Sequence, residues 1–269
     1  CRCAPETLDA LREAARRASW TDSVSAVEAT ALSALIFAAA VLYSCVGHAG
    51  ASAYLAVMGL MAVDPTVMKP TALVLNILVA IIGTVRFYRA GCFSWRVFWP
   101  FAATSVPAAL VGGFWDLPSP VYKQVVGVVL LFAAVRSLFF RSAIGTEPLR
   151  TAPVPVALGF GGVIGLLSGL TGIGGGIFLS PLLLLTGWAD MRHVAGVSAA
   201  FILVNSLAGL TGHLAKVHQL PLTIVPWAVA AIAGGVLGSW IGSRRLADQN
   251  LRRVLGAVLA IAALKLVFV

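Results

Sequence analysis

Two clusters of glycine interrupt the apolar course of this chain and limit what it can fold into. The stronger cluster, SGLTGIGGG, runs from Ser168 to Gly176, and Pro181 follows it. A weaker copy, SCVGHAGAS, runs from Ser44 to Ser52, about 125 residues earlier. Broken backbone at membrane depth is tolerated only where protein or a polar cavity satisfies its peptide groups. Two such breaks at corresponding places in two halves are typical of a transporter with a midplane binding site.

The composition of this chain is that of an integral membrane protein. Of its 269 residues, 59% are hydrophobic and only 11% are charged, with a mean hydropathy of +0.96. A soluble domain carries roughly 25% charged residues. The ten acidic residues lie in the N-terminal segment or in short connections between apolar runs. The net charge of +9 indicates orientation and contact with anionic lipid. Nucleic acid is not an expected partner, because the basic residues are scattered over separate loops.

Apolar segments of spanning length, about 20 residues each, predict an all-α integral membrane protein with eight full spans. We place these at about 28–46, 69–87, 97–115, 121–140, 153–171, 193–213, 222–242 and 251–269. Two shorter apolar pieces, about 50–63 and 174–188, directly follow the glycine clusters. They are too short to span comfortably, so we predict two half-helices beside the breaks.

The likeness between the halves extends beyond the glycine clusters. Asn76 and Asn205 share an offset of 129 residues, as do Gly83 and Gly212. We therefore predict two transmembrane repeats, separated by a loop rich in proline. The predicted divisions are a polar N-terminal segment (1–27), the first repeat (28–141), a linker (142–152) and the second repeat (153–269). The polar segment is expected to be an interfacial helix or disordered, and no function is assigned to it.

Membrane orientation follows from the distribution of Lys and Arg between loops. If each break forms a re-entrant hairpin, the halves are inverted, and one side holds eleven of these residues. The other side then holds eight, among them Lys69 as a loop residue. This arrangement places both termini outside the cytoplasm. If each break only bends a single span, the same count reverses the orientation and the halves become parallel.

The strongest candidate for chemistry is the glycine cluster that opens the second half-helix. Glycines allow consecutive backbone N–H groups to converge on a ligand, and a helix N-terminus adds partial positive charge. This combination binds an anion without a cationic side chain. The residues predicted to bind substrate are Gly172, Gly174, Gly175, Gly176 and Thr171 in the second break, and Gly47, Gly50 and Ser52 in the first. Close helix packing is the alternative role of glycine, and we expect it for Gly112, Gly113, Gly234, Gly235 and Gly238.

Three polar side chains within the apolar segments are further candidates. His48 lies in the first break, where an ionisable side chain is costly and points to a functional role such as carrying a coupling proton. A neutral histidine bonded to a freed carbonyl is the structural alternative. Asn76 and Asn205 are predicted to cap broken backbone or to contact the substrate. Their alternative role is to hold helices together.

Several functional classes lack a signal in this sequence. No carboxylate is assigned to the interior of a predicted span, which disfavours cation transport and a carboxylate proton relay. No metal-ligand spacing and no HExxH, GxSxG or P-loop motif occurs, so no metal, cofactor or enzymatic activity is predicted. Cys45 flanks the first break and keeps open a membrane thiol-redox protein. An anion channel is a further alternative.

The motif GLTGIGGG at 169–176 with Pro181, its weaker copy VGHAGA at 46–51, and the number of spans together resemble the TauE/SafE family of sulfite and organosulfur anion permeases. The resemblance covers roughly residues 30–269. It implies secondary transport of a small sulfur-containing anion such as sulfite. The matching motif positions are Gly172, Gly174, Gly175, Gly176 and Pro181, with Gly47 and Gly50 in the first copy. His48 and Ala49 depart from a glycine-richer turn, and residues 1–27 lie outside the family pattern.

The resulting hypothesis is a secondary transporter of a small anion in the plasma membrane. Its substrate site would lie between the two breaks, and alternating access would come from one helical bundle rocking against the other. The expected partners are the anion, the lipid bilayer and a coupling proton. The substrate, the direction of transport and the oligomeric state are left open.

Overall fold

The computed structural model describes residues 26–45, 47–115, 117–139, 152–215 and 224–244. Within these ranges the chain forms nine α-helices and no β-strand. In chain order they are α1 (Ala26–Ser44), α2 (Ala51–Leu60), α3 (Pro65–Arg89), α4 (Trp95–Phe114), α5 (Ser119–Phe139), α6 (Val154–Thr171), α7 (Gly176–Leu185), α8 (Met191–Leu214) and α9 (Ile224–Arg244).

The predicted all-α class is confirmed for the described part of the chain. Seven predicted spans and both predicted half-helices coincide with helices whose ends lie within a few residues of those predicted. The eighth predicted span, 251–269, and the N-terminal segment 1–25 lie outside the described residues. Five helices, α3, α4, α6, α8 and α9, are long and apolar enough to cross a membrane.

Helix α3 begins earlier than the apolar pattern predicts. The Asp64 side chain caps it by accepting a hydrogen bond from Thr66 N at 2.8 Å, and Pro65 occupies the first helical position. Both residues favour a helix start. Lys69, which we assigned to a loop, therefore lies inside α3 and is buried. Glu28 also lies within a helix, in the first turn of α1, and not before it.

The two sequence halves do not pack as separate units. Helix α4 packs mainly on α6 and α8 of the second half, and α9 packs mainly on α1 and α3 of the first half. Helices α3 and α8 pack on each other between these groups. The fourth helix of each half, counting the short half-helix, is thus exchanged into the other half.

Glycines make the close contacts between the exchanged helices, as predicted for the glycine pairs of α4 and α9. A Cβ at Gly113 would overlap the carbonyl oxygen of Gly209 in α8. A Cβ at Gly238 would overlap the carbonyl oxygen of Val41 in α1. Small residues allow helix backbones to approach closely in a membrane, where van der Waals contact drives association.

Buried apolar side chains form two main clusters that follow this exchange. The first cluster joins α1, α2, α3, α5 and α9, and it also includes Ile173 and Ile177 beside the second break. The second cluster joins α4, α6, α7 and α8. The second break therefore lies where the two clusters meet.

Candidate functional site

Both glycine clusters break the helices where the sequence predicts. The chain leaves α1 at Ser44 and α6 at Thr171, and it turns before α2 and α7 begin. Gly47 and Gly172 have φ angles of 77° and 81°, and Gly50 and Gly175 have φ angles of 106° and 78°. Each pair is separated by about 125 residues. Glycine adopts this left-handed conformation without steric cost, so it is required at matching positions in both breaks.

The two half-helices begin without the side-chain caps that usually satisfy a helix N-terminus. Gly50 is the N-cap of α2 and Gly175 is the N-cap of α7, and neither supplies a capping group. In the described part of the chain, no backbone carbonyl accepts from the N–H groups of Gly174, Gly175 or Gly176. All three residues are buried. The second break thus holds three peptide N–H groups that have no backbone acceptor in the described ranges, at the positive end of a helix dipole.

Asn76 lies against the second break. Its Nδ2 donates to the carbonyl oxygen of Ile173 at 3.2 Å and to Ser206 Oγ at 3.4 Å. A Cβ at Gly174 would lie 2.8 Å from this nitrogen. Asn76 is fully buried, and its Oδ1 has no hydrogen-bond partner among the described residues.

Asn205 has a different environment. Its Oδ1 accepts from Ser105 Oγ at 2.6 Å, and its Nδ2 donates to the carbonyl oxygen of Phe201 at 2.9 Å. The first bond joins α8 to α4, the second lies within α8, and neither involves a break. The arrangement matches the alternative role considered for this residue, which is to hold helices together.

The Thr171 hydroxyl is used by the backbone around it. Oγ1 donates to the carbonyl oxygen of Leu167 at 2.7 Å and accepts from Ile173 N at 3.4 Å. Tyr122 of α5 donates from its hydroxyl to the carbonyl oxygen of Thr171 at 3.0 Å. Tyr122 therefore satisfies a carbonyl that the break frees. The sequence pattern did not single it out, because an aromatic residue near a helix end is also typical of the membrane interface.

Residues of the first break interact among themselves in a similar way. The Ser52 hydroxyl donates to the Tyr43 hydroxyl at 3.0 Å. The fully buried Tyr54 donates to the carbonyl oxygen of Ala49 at 2.6 Å. Gly47 lies against α8, where a Cβ would be 2.5 Å from the carbonyl oxygen of Ala195.

His48 connects the first break to the half-helix of the second. Its Nε2 lies 3.0 Å from Ser180 Oγ, one turn into α7. Ser180 Oγ also donates to the carbonyl oxygen of Gly176 at 2.8 Å and lies 2.8 Å from Ser198 Oγ. The two breaks are therefore joined by a chain of polar groups. Ser180 and Ser198 were missed, because an isolated serine in an apolar helix has many structural uses.

Lys69 is a buried cation beside the second break. Its Nζ donates to the carbonyl oxygens of Gly113 at 3.0 Å, Trp115 at 3.1 Å and Gly112 at 3.4 Å, at the C-terminal end of α4. A cation at this end of a helix interacts favourably with the helix dipole. A Cβ at Gly172 would lie 3.1 Å from the carbonyl oxygen of Lys69.

Cysteine and metal chemistry have no assembled site within the described ranges. Cys45 and Cys92 are free thiols, and Cys45 is buried. No group of three or more His, Cys, Asp or Glu side chains that could hold a metal ion occurs in those ranges.

The helical architecture and the lipid-compatible surface define the class of this protein. Five long apolar helices in the described ranges have the length and composition of membrane spans. Large apolar side chains are exposed on several of them, including Val111 of α4, Val163 of α6 and Val229 of α9. The chain is a multi-pass integral membrane protein.

Residues 32–266 match the family model described as sulfite exporter TauE/SafE. The chain belongs to this family, which confirms the resemblance seen in the glycine motifs.

Its relatives are named probable membrane transporter proteins. One from Sinorhizobium fredii is 41% identical over 244 residues, which cover 90% of this chain and 99% of the relative. One from Xylella fastidiosa is 36% identical over 110 residues, covering 40% of this chain and 42% of the relative. One from Methanocaldococcus jannaschii is 23% identical, covering 72% of this chain and 76% of the relative. No solved structure matches the chain. The family and these names indicate a transporter and not an enzyme.

Proposed function

We propose that this protein is a secondary transporter that carries a small anion across the plasma membrane through a site between its two broken helices. The observation that carries this proposal is the second break, where three buried peptide N–H groups at the start of α7 have no backbone acceptor and no side-chain cap. Unsatisfied donors are costly in a membrane interior. An anion bound to these groups would remove that cost.

The proposed substrate shell centres on the second break. The anion can approach the main chain because four residues of this break are glycines, Gly172, Gly174, Gly175 and Gly176. Asn76 borders the site. Gly47, Gly50 and Ser52 contribute from the first break, with Thr171 and Asn205 as supporting residues that hold the backbone and the helices. The family description, sulfite exporter, supports a sulfur oxyanion or an organosulfonate as the substrate.

The proposed cycle is alternating access between two inverted repeats. The exchange of α4 and α9 between the halves supports a two-fold relation, because α4 packs on α6 as α9 packs on α1. The two apolar clusters are then the bodies that move. The contact between α3 and α8, with the breaks beside it, is the interface on which they rock.

His48 is the proposed site of proton coupling. Ser180 has one hydroxyl proton and two lone pairs. When it donates to the carbonyl oxygen of Gly176, it accepts from His48 Nε2–H and from Ser198. Gain or loss of a proton by His48 would rearrange the hydrogen bonds that run from His48 through Ser180 to Ser198 and to the carbonyl oxygen of Gly176. A His48→Gln variant that keeps anion flux but loses its dependence on a pH gradient is the expected result.

The test is flux in proteoliposomes. Sulfite uptake is expected to saturate and to show counterflow, which separates a carrier from a channel. Gly174→Leu should abolish flux, and Gly174→Ala, whose smaller side chain disturbs the fold less, should lower it at least tenfold. Cys45→Ser should leave the flux unchanged, whereas a thiol-redox protein would lose its activity. Wild-type flux in Gly174→Leu would overturn the assignment of the site.

A further inference from the structure

We infer that the second break selects anions that carry a hydrogen-bond donor, and that Asn76 is the residue that makes this selection. The inference rests on the proposed function, since it names the chemical class of the anion bound at the same site. It follows from an inventory of donors and acceptors around α7. The break offers three peptide donors, at Gly174, Gly175 and Gly176, and one spare side-chain acceptor, Asn76 Oδ1.

The orientation of the Asn76 amide is fixed by its partners. The carbonyl oxygen of Ile173 can only accept, so the NH2 group must face it. The second N–H of the same group is used by Ser206 Oγ. Oδ1 is therefore the free atom, and it can only accept. The amide lies against Gly174, whose Cβ would be 2.8 Å from Nδ2, so the side chain that carries this unpaired oxygen borders the peptide donors.

The repeat supplies an internal comparison. Asn205 is the counterpart of Asn76 at an offset of 129 residues. Both side chains are fully buried, but Asn205 uses its oxygen with Ser105 and its nitrogen with Phe201. At Asn205 the oxygen and the nitrogen of the buried amide thus each have a partner, one on α4 and one within α8. At Asn76 the acceptor is unpaired at the place where a ligand would bind.

The Ser168 hydroxyl adds to the polar character of this place. It is fully buried and unpartnered among the described residues. A Cβ added at Gly175 would lie 3.5 Å from the Cβ of Ser168, so the serine side chain lies beside the break. A hydroxyl can donate or accept, so it fits either part of a ligand.

The complementary ligand combines anionic oxygens with one O–H or N–H group. The anionic oxygens accept from the peptide N–H groups, and the donor pairs with Asn76 Oδ1. Two sources share this chemistry, a singly protonated oxyanion and an organosulfonate with a hydroxyl group. A site built to bond a ligand donor disfavours an analogue that lacks it, because the buried acceptor is then left unpaired. The expected preference is roughly tenfold in affinity for a single bond.

The experiment is a binding measurement on the purified full chain with two pairs of ligands of matched size. The first pair is 2-hydroxyethanesulfonate and propane-1-sulfonate, and the second is hydrogensulfite and methanesulfonate. Only the first member of each pair carries a donor. The wild-type protein is expected to prefer a donor-bearing member roughly tenfold. The pair that shows the preference identifies which source of the chemistry the site takes.

Two variants separate selection from stability. Asn76→Leu should bring the ratio of affinities within a pair close to one. Ser105→Ala removes a buried hydrogen bond from the counterpart Asn205 and should keep the wild-type ratio. Because the ratio is measured within one protein, the wild-type result decides even when Asn76→Leu does not fold.

The outcomes separate this inference from the proposed function. Equal affinities within both pairs, or binding of the donor-free thiosulfate alone, would overturn the donor requirement and leave the anion site standing. Loss of the preference in Ser105→Ala as well would overturn the role of Asn76. Failure of every one of these anions to bind would overturn both the inference and the proposed function.

Discussion

The substitution Gly174→Ala tests whether the second break is built around glycine. The residue has a φ of 81°, so any Cβ there is strained. An alanine Cβ would also lie 2.8 Å from Asn76 Nδ2, 2.8 Å from Ile202 Cγ2 and 3.0 Å from Ser206 Oγ. These distances are shorter than van der Waals contact, so the surrounding side chains must move.

The expected cost combines these two effects. A left-handed conformation costs a non-glycine residue about 1–2 kcal/mol. Overpacking a well-packed site costs about 1–3 kcal/mol. The free energy of unfolding should therefore fall by about 2–5 kcal/mol. The assay is unfolding in mixed micelles, with sulfite flux in proteoliposomes measured on the same preparation. Flux should fall at least tenfold, because Asn76 and the peptide donors are displaced together.

Gly91→Ala is the matched control. Gly91 has a φ of 70°, but a Cβ there meets nothing within 4 Å. This variant should lose only the cost of the left-handed conformation, about 1–2 kcal/mol, and should keep its flux. The difference between the two variants isolates the overlap with Asn76 and Ile202. Equal unfolding energies together with wild-type flux in Gly174→Ala would refute the close packing of the break.

Three further predictions concern the residues that support the site. Lys69→Met should lower the free energy of unfolding by about 2 kcal/mol or more, since three carbonyl oxygens at the end of α4 lose a charged donor. In the same unfolding assay, Lys69→Arg should recover part of this loss. Tyr122→Phe should cost about 1 kcal/mol by leaving the carbonyl oxygen of Thr171 unpaired, and unchanged stability would contradict that bond. Burial raises the pKa of Asp190, but hydrogen bonds from the backbone N–H and imidazole of His193 outweigh it and hold the pKa below its ordinary value. The stabilisation from this lowered pKa is present at a pH above the ordinary carboxyl pKa and is lost as the pH falls through the pKa of the folded protein. Asp190→Asn should therefore be less stable than the wild type at neutral pH but lose less stability on acidification. Thermal unfolding of both proteins at neutral and at acidic pH would show this.

The positions of the helices could be predicted because their signals are local. A run of about 20 apolar residues must cross the membrane as a helix to satisfy its own peptide groups. A cluster of glycines must interrupt that helix, and both breaks appear at the predicted residues. The start of α3 differs from the predicted one, because the Asp64 cap extends the helix into a polar stretch. Lys69 therefore lies within the helix and is buried.

The partners within the site could not be predicted, because they come from distant segments. Asn76 and Asn205 are equivalent in the sequence pattern. They differ because Asn76 meets the broken backbone at Ile173, whereas Asn205 meets Ser105 of α4. The exchange of α4 and α9 between the halves likewise depends on how glycine faces fit across the bundle. The pattern of apolar and small residues within one helix does not specify which distant helix it packs against.

The most direct test of the central claim is anion binding to the purified protein, read as thermal stabilisation by sulfite, thiosulfate, sulfate, sulfoacetate, taurine and chloride. A ligand that binds only the folded state stabilises it by about 2.7 kcal/mol at one hundred times its Kd. A small anion bound at the start of α7 should stabilise the wild-type protein and leave Gly174→Leu unchanged. Stabilisation by none of these anions, or equal stabilisation of both proteins, would contradict an anion site at the second break.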